Sequence, residues 1–155
     1  PHNYPENSVA YTGTHDNETL AGWFDSITKE EQNMVRDYLC DHYTPKKYLY
    51  KSLNSLVMRS EAALCVIPMQ DYLGLDNSAR INFPSTLGTN WRWRLIKSDL
   101  TKALADSIRK QNIVYGRVIW EDLQEDEKPK DPEEETETET EPKQKKDSSV
   151  KEEKD

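Results

Sequence analysis

The sequence contains no apolar run near the ~20 residues that a bilayer-spanning helix needs, so no helical membrane span is expected. Cysteine is scarce. Cys40 and Cys65 are the only two, and neither lies in a CxxC pair or beside a histidine at metal-ligand spacing. That argues against a zinc-ribbon site and a multi-bridge disulfide framework; the two thiols are expected to be reduced core residues of an intracellular protein, with a single Cys40–Cys65 disulfide as the alternative. There is no excess of positive charge: the formal net charge is −8, which argues against a nucleic-acid backbone as partner, because like charges repel. Pro1-His2-Asn3-Tyr4-Pro5 shows neither a basic n-region nor an apolar h-region, so no secretory signal is read there. No internal repeat is present.

The negative charge is unevenly placed. Residues 121–155 hold 16 acidic and 7 basic side chains, a net of −9, whereas residues 1–120 are near neutral and carry all four tryptophans. The run Glu133 to Glu141 alternates little but Glu and Thr. Such a composition buries too little apolar area to offset its ordering entropy. The expected organisation is therefore a folded region over 1–120 and a disordered acidic tail over 121–155.

Within 1–120 the punctuation suggests α/β architecture. Ser8–Thr12 is a short β-leaning run ended by Gly13, and after a polar cluster Thr19–Phe24 reads as a short helix. Thr28 with Glu31 fits a capping box opening a helix over Thr28–Tyr43, before Pro45. Tyr48–Ala63 reads as a further helix. Ala63–Ile67 is an unbroken apolar run that suits a strand buried on both faces. Met69–Asn90 reads as a long polar loop, and a helix is expected from Trp91 to about Lys110, capped by Thr89 or Asn90. Strands alternating with helices predict βα units and a parallel sheet.

Three clusters could carry chemistry. His15-Asp16-Asn17 follows a strand's C-terminal end, where α/β sheets bind ligands; its donors and acceptors suit sugar hydroxyls, or Asp16 or Asn17 caps the next helix. Gln70-Asp71 has the same position after the second strand and is either a ligand contact or a turn. Arg80, Asn82, Asn90 and Trp91, with Trp93, Arg92 and Arg94, combine amides, guanidinium groups and indoles in one loop region. That set suits carbohydrate; the alternative is core tryptophans with arginines in ion pairs. Interleaved Trp and Arg also suit single-stranded nucleic acid, which the near-neutral charge of the region does not support.

Together these stretches resemble a known family. Pro1-His2-Asn3, the run Tyr11 to Phe24, Ile67 to Leu75, and Arg80 to Thr86 followed by Asn90-Trp91-Arg92-Trp93-Arg94 are similar, in order, to motifs of the amylomaltases, or 4-α-glucanotransferases. The resemblance covers roughly residues 1–115. It implies the C-terminal part of a (β/α)₈ TIM barrel, about its last two βα units. It implies transfer of α-1,4-glucan segments to a glucose or maltooligosaccharide acceptor by a retaining double displacement, with no cofactor and no metal. By motif match, Asp16 is the carboxylate that stabilises the transition state. His15, Asn17, Gln70, Asp71, Arg80, Asn82, Asn90 and Trp91 are the expected substrate contacts. The family's nucleophile and acid/base have no match here. The chain is thus expected to be a piece of a longer enzyme, inactive alone, in cytosol or plastid, with α-glucans as partners and no nucleic acid or membrane. A non-catalytic glucan-binding or scaffolding protein that keeps the sugar loops is the competing reading. Glu18 stands where the family has Asp, Ile81 where it has Met, and Ser85 where it has Gly, a substitution that strains the backbone if that position needs positive φ.

Overall fold

A computed structural model describes residues 1–119 of the chain. The chain falls into two units, Pro1–Arg117, which carries every element named below, and Val118–Asp155. The expected acidic tail over 121–155 lies outside the described residues.

In chain order the first unit contains β1 (Val9–Tyr11), α1 (Leu20–Ser26), α2 (Lys29–Leu39), α3 (Leu49–Met58), β2 (Leu64–Val66), α4 (Met69–Leu73) and α5 (Lys102–Val114). Short 3₁₀ turns occur at Lys46–Tyr48, Asn77–Ala79 and Lys97–Asp99. β1 and β2 pair in parallel, with Val9 opposite Leu64, Ala10 opposite Cys65 and Tyr11 opposite Val66. Parallel pairing needs a crossover, and α1, α2 and α3 supply it. The α/β expectation is met by this arrangement.

Local signals explain the elements. Thr28 accepts from the Glu31 N–H while Glu31 reaches back to the Thr28 N–H, so the expected capping box is formed. α2 ends at Leu39 because Cys40 turns left-handed, φ 51°, four residues short of the expected end. Cys40 is therefore an exposed cap rather than a core thiol, and Cys65 is only half-buried; both are free. α3 stops at Met58 rather than Ala63, because the guanidinium of Arg117 takes the carbonyls of Met58, Ser60 and Ala62 at 2.6, 2.8 and 2.9 Å. The chain then turns into β2.

The main core gathers Leu20, Phe24, Leu39, Leu49 and Leu53 between α1, α2 and α3. Burying side chains of this size contributes about 1.5–3 kcal/mol each. Gln32 was not foreseen there: it is buried and donates to the Phe24 carbonyl at 2.9 Å, tying α2 to α1. A smaller cluster of Ala10, Val57 and Ala62 seats the sheet on α3. Pleating sends alternate residues to the other face. Val9, Tyr11, Leu64 and Val66 point there, and they are 47, 50, 55 and 38 % exposed. The expectation of a β2 buried on both faces is thus corrected: among the described residues the sheet has two strands and a cover on one side only.

The segment after β2 is more structured than a loop. α4 follows Pro68 and ends at Gly74, whose φ of 67° is the left-handed cap that glycine favours. The expected helix from Trp91 is not formed. Trp91 itself has φ 64°, and α5 begins at Lys102 under the Thr101 cap.

Candidate functional site

The site is built on the loop between β1 and α1. Thr14 and Asn17 close a turn twice: the Asn17 N–H donates to the Thr14 carbonyl at 3.1 Å, and Asn17 Oδ1 accepts from the Thr14 N–H at 2.7 Å and its hydroxyl at 2.9 Å. His15 and Asp16 occupy the tip. Neither Asp16 nor Asn17 caps α1; that role belongs to Thr19, which accepts from the Gly22 N–H. The carboxylate of Asp16 is therefore left for other partners.

Asp71 clamps this loop from the far side. It is 2 % exposed and accepts from the Thr12 hydroxyl at 2.6 Å and the Leu20 N–H at 2.8 Å, holding the two ends of the loop with one carboxylate. Burial pushes its pKa up, and these two bonds act in the opposite direction. Its own carbonyl accepts from buried Asn54. Gln70, equally buried, donates to the Ala79 carbonyl at 3.3 Å. Both residues form the floor of the site.

The third motif folds over the tip. Asn82 donates to Asp16 Oδ1 at 2.6 Å, Arg80 donates to the Asp16 carbonyl at 2.7 Å, and Asp16 Oδ2 lies 3.4 Å from His15 Nε2. Arg80 also donates to the Asn82 carbonyl at 2.9 Å, lies 3.6 Å from Glu18, and covers the Phe83 ring at 4.6 Å. Trp91, 55 % exposed, sets its ring centroid 5.1 Å from that of His15. Its backbone N–H donates to the Ile81 carbonyl at 2.8 Å, which fixes it to the same loop. Trp91 is therefore not a core residue. Arg94 binds the carbonyls of Trp91 and Trp93.

Asn90 has a different role. Its Oδ1 accepts from the Phe83 N–H and its amide donates to Phe83 and Thr86, so it shapes the 83–90 loop from within. In that loop the Thr86 N–H donates to the Phe83 carbonyl, Pro84 leads the turn, and Ser85 has φ 63°. This is the type II arrangement that favours glycine at its third position.

The nine expected residues thus divide. His15, Asp16, Arg80, Asn82 and Trp91 converge at the mouth, Gln70 and Asp71 lie beneath, and Asn17 and Asn90 hold the loops. Glu18 and Thr12 belong to the constellation without having been singled out as site residues; only the fold reveals their partners. A cavity of about 460 Å³ opens here, lined among others by Tyr11, His15, Glu18, Gln70 and Arg80. Asp16 faces an adjoining cavity of about 430 Å³ with Trp23 and Arg80. The combination of a carboxylate, an imidazole, an amide and an open indole face can bind hydroxyls and stack on a sugar ring. Among the described residues, no group of three or more His, Cys, Asp and Glu could hold a metal ion.

Known proteins are similar to this chain in sequence and in fold. A family model described as 4-alpha-glucanotransferase matches residues 1–99. The chain is 39 % identical over 120 residues to the 4-alpha-glucanotransferase of Streptococcus pneumoniae serotype 4, covering 76 % of this chain and 23 % of that protein. It is 40 % identical over 121 residues to the chloroplastic/amyloplastic 4-alpha-glucanotransferase of Solanum tuberosum, covering 76 and 21 %. It is 43 % identical over 118 residues to that of Clostridium butyricum, covering 76 and 24 %. Among solved structures, an amylomaltase from Streptococcus agalactiae in complex with acarbose matches with a TM-score of 0.70 at 34 % identity, covering 75 % of this chain and 23 % of that one. The chain spans less than a quarter of the length of these relatives.

Proposed function

The chain belongs to the 4-α-glucanotransferase family, and from that premise we propose that it supplies the transition-state carboxylate and part of the sugar-binding mouth of a glucan-transferring enzyme. The observation that carries this reading is the meeting of two separate sequence motifs at Asp16: Asn82 donates to its carboxylate at 2.6 Å and Arg80 to its main-chain carbonyl at 2.7 Å, while its own neighbour His15 lies 3.4 Å from the second carboxylate oxygen. A carboxylate held by Asn82 and His15, on a backbone pinned by Arg80, keeps one orientation, as a group that must strengthen its hold in a distorted transition state requires.

In this reading the described elements are the last two βα units of a (β/α)₈ TIM-barrel enzyme, with the site at the C-terminal ends of β1 and β2. The nucleophile and the acid/base come from the rest of a longer protein, about 5 Å apart as retaining chemistry demands. The nucleophile displaces the leaving glucan at the anomeric carbon while the acid protonates its oxygen. An acceptor hydroxyl then attacks the glycosyl-enzyme, giving its proton to the same residue. Asp16 and His15 grip sugar hydroxyls next to that carbon as the ring flattens. The exposed Trp91 face stacks on a neighbouring sugar, and Asn82 presents its side-chain Oδ1. Substrates are α-1,4-glucans and maltooligosaccharides.

The test is Asp16→Asn in the full-length transferase, with disproportionation of maltotriose as the readout. The rate should fall by at least about a hundredfold, in line with the loss of a transition-state contact, while the thermal midpoint barely moves. Near wild-type turnover would remove Asp16 from the mechanism and favour a non-catalytic glucan-binding role.

A further inference from the structure

We propose that Arg80 is a positioning residue for Asp16, acting through the protein backbone rather than on the sugar; this rests on the role proposed for Asp16 above. Arg80 looks at first like a substrate ligand, since a guanidinium in a sugar-binding mouth is well suited to hydroxyls. Its surroundings say otherwise. The side chain is 14 % exposed. One terminal nitrogen donates to the Asp16 carbonyl at 2.7 Å, Nε donates to the Asn82 carbonyl at 2.9 Å, and the other terminal nitrogen faces Glu18 at 3.6 Å. Its plane lies over Phe83 at 4.6 Å. Three edges and one face of the group are therefore occupied by the protein.

The geometry has a further consequence. Asn82 and Asp16 are 66 residues apart in sequence, yet the Asn82 amide meets Asp16 Oδ1 at 2.6 Å. Arg80 holds the main-chain carbonyl of each of these two residues. One rigid guanidinium thus fixes both ends of the bond that orients the Asp16 carboxylate, leaving Oδ2 toward His15. Glu18 completes the clamp and is itself tied to α1, its other oxygen accepting from the Ser26 hydroxyl at 2.9 Å. A lysine could keep the charge opposite Glu18. It could not span two carbonyls in one plane and also stack on a ring, because its ammonium is a point donor on a flexible stem. Displacing a catalytic group by about 1 Å can cost roughly a hundredfold in rate, so a clamp of this kind carries kinetic weight without touching substrate.

The experiment is a double-mutant cycle in the full-length transferase, using maltotriose disproportionation. Arg80→Gln is expected to lower kcat by about 10- to 100-fold while KM stays within about threefold. Arg80→Lys should retain most of that loss. In an Asp16→Asn background, Arg80→Gln should cost less than about twofold, because a residue that acts through Asp16 has nothing left to position. A tenfold rise in KM at unchanged kcat would overturn the proposal in favour of direct sugar contact. So would a full, additive loss in the Asp16→Asn background, or wild-type kinetics in Arg80→Lys. If Arg80→Gln does not fold, Arg80→Lys enters the same cycle. Asp16→Asn alone reports on the underlying function: wild-type turnover there would sink that reading and this one with it, whereas failure confined to the cycle would sink only the role of Arg80.

Discussion

Ser85 holds a backbone conformation that its Cβ resists. Left-handed φ costs a non-glycine residue roughly 1–2 kcal/mol, and the turn between Phe83 and Thr86 imposes it. Ser85→Gly should therefore stabilise the chain, by about 0.5–1 kcal/mol once the extra freedom of glycine in the unfolded state is subtracted. A urea-unfolding midpoint that does not rise would show that the serine is not strained. Asp41 makes the pH prediction. The Thr44 N–H and then the Ser52 hydroxyl bind its carboxylate and hold its pKa down to about 2, from an ordinary 3.8. A lowered folded-state pKa contributes stability above the unfolded value, which disappears as pH falls through the folded one. Thermal midpoints should thus drop between about pH 4 and pH 2, and Asp41→Asn should flatten that limb. An unchanged acid limb would contradict it. Asp71 has the opposite sign: its pKa is raised, so its share is full at low pH and fades as pH rises through the raised value.

The turn from α3 into β2 depends on a side chain far along the sequence. Arg117 donates three bonds to the carbonyls of Met58, Ser60 and Ala62, serving helix-end acceptors that would otherwise lack partners. Arg117→Ala should destabilise the fold by about 2–3 kcal/mol, and Arg117→Lys should recover little of it. A loss under about 0.5 kcal/mol in chemical denaturation would show that water replaces the guanidinium. This clamp also shows where sequence reading stops. The Thr28–Glu31 capping box was legible because its partners are three residues apart, and both strands were legible as short apolar runs. The end of α3 was not, since its acceptors and Arg117 are separated by more than 50 residues. The helix expected from Trp91 failed similarly. Bonds from Asn90 and Trp91 back to Ile81, Phe83 and Thr86, four to ten residues earlier and outside any helical pattern, set the backbone there and override local propensity. At the site, the motif residues were visible in the sequence. Their division into mouth, floor and loop braces was not, because it depends on which carbonyl or carboxylate each one reaches.

At the scale of the whole molecule, the sheet has a cover on one side and, among the described residues, none on the other. Val9, Tyr11, Leu64 and Val66 form an apolar surface on the uncovered side. In the proposed barrel that surface would face inward, packed by the remaining strands. Exposed apolar sheet faces promote association. The isolated 155-residue chain is therefore expected to self-associate in a concentration-dependent way, and Val9→Lys with Leu64→Lys should reduce this. Sedimentation of the unaltered chain as a monomer across tens of micromolar would contradict it.

The ring of Trp91 beside His15 gives the site an optical consequence. Indole emission is sensitive to a neighbouring imidazole and to the water around it, and here the imidazole centroid lies 5.1 Å away. A sugar settling on the open face would displace solvent and alter that coupling, so the site carries its own fluorophore. Subtracting the spectrum of Trp91→Phe would isolate this signal from the other tryptophans and allow occupancy to be followed without a label or turnover.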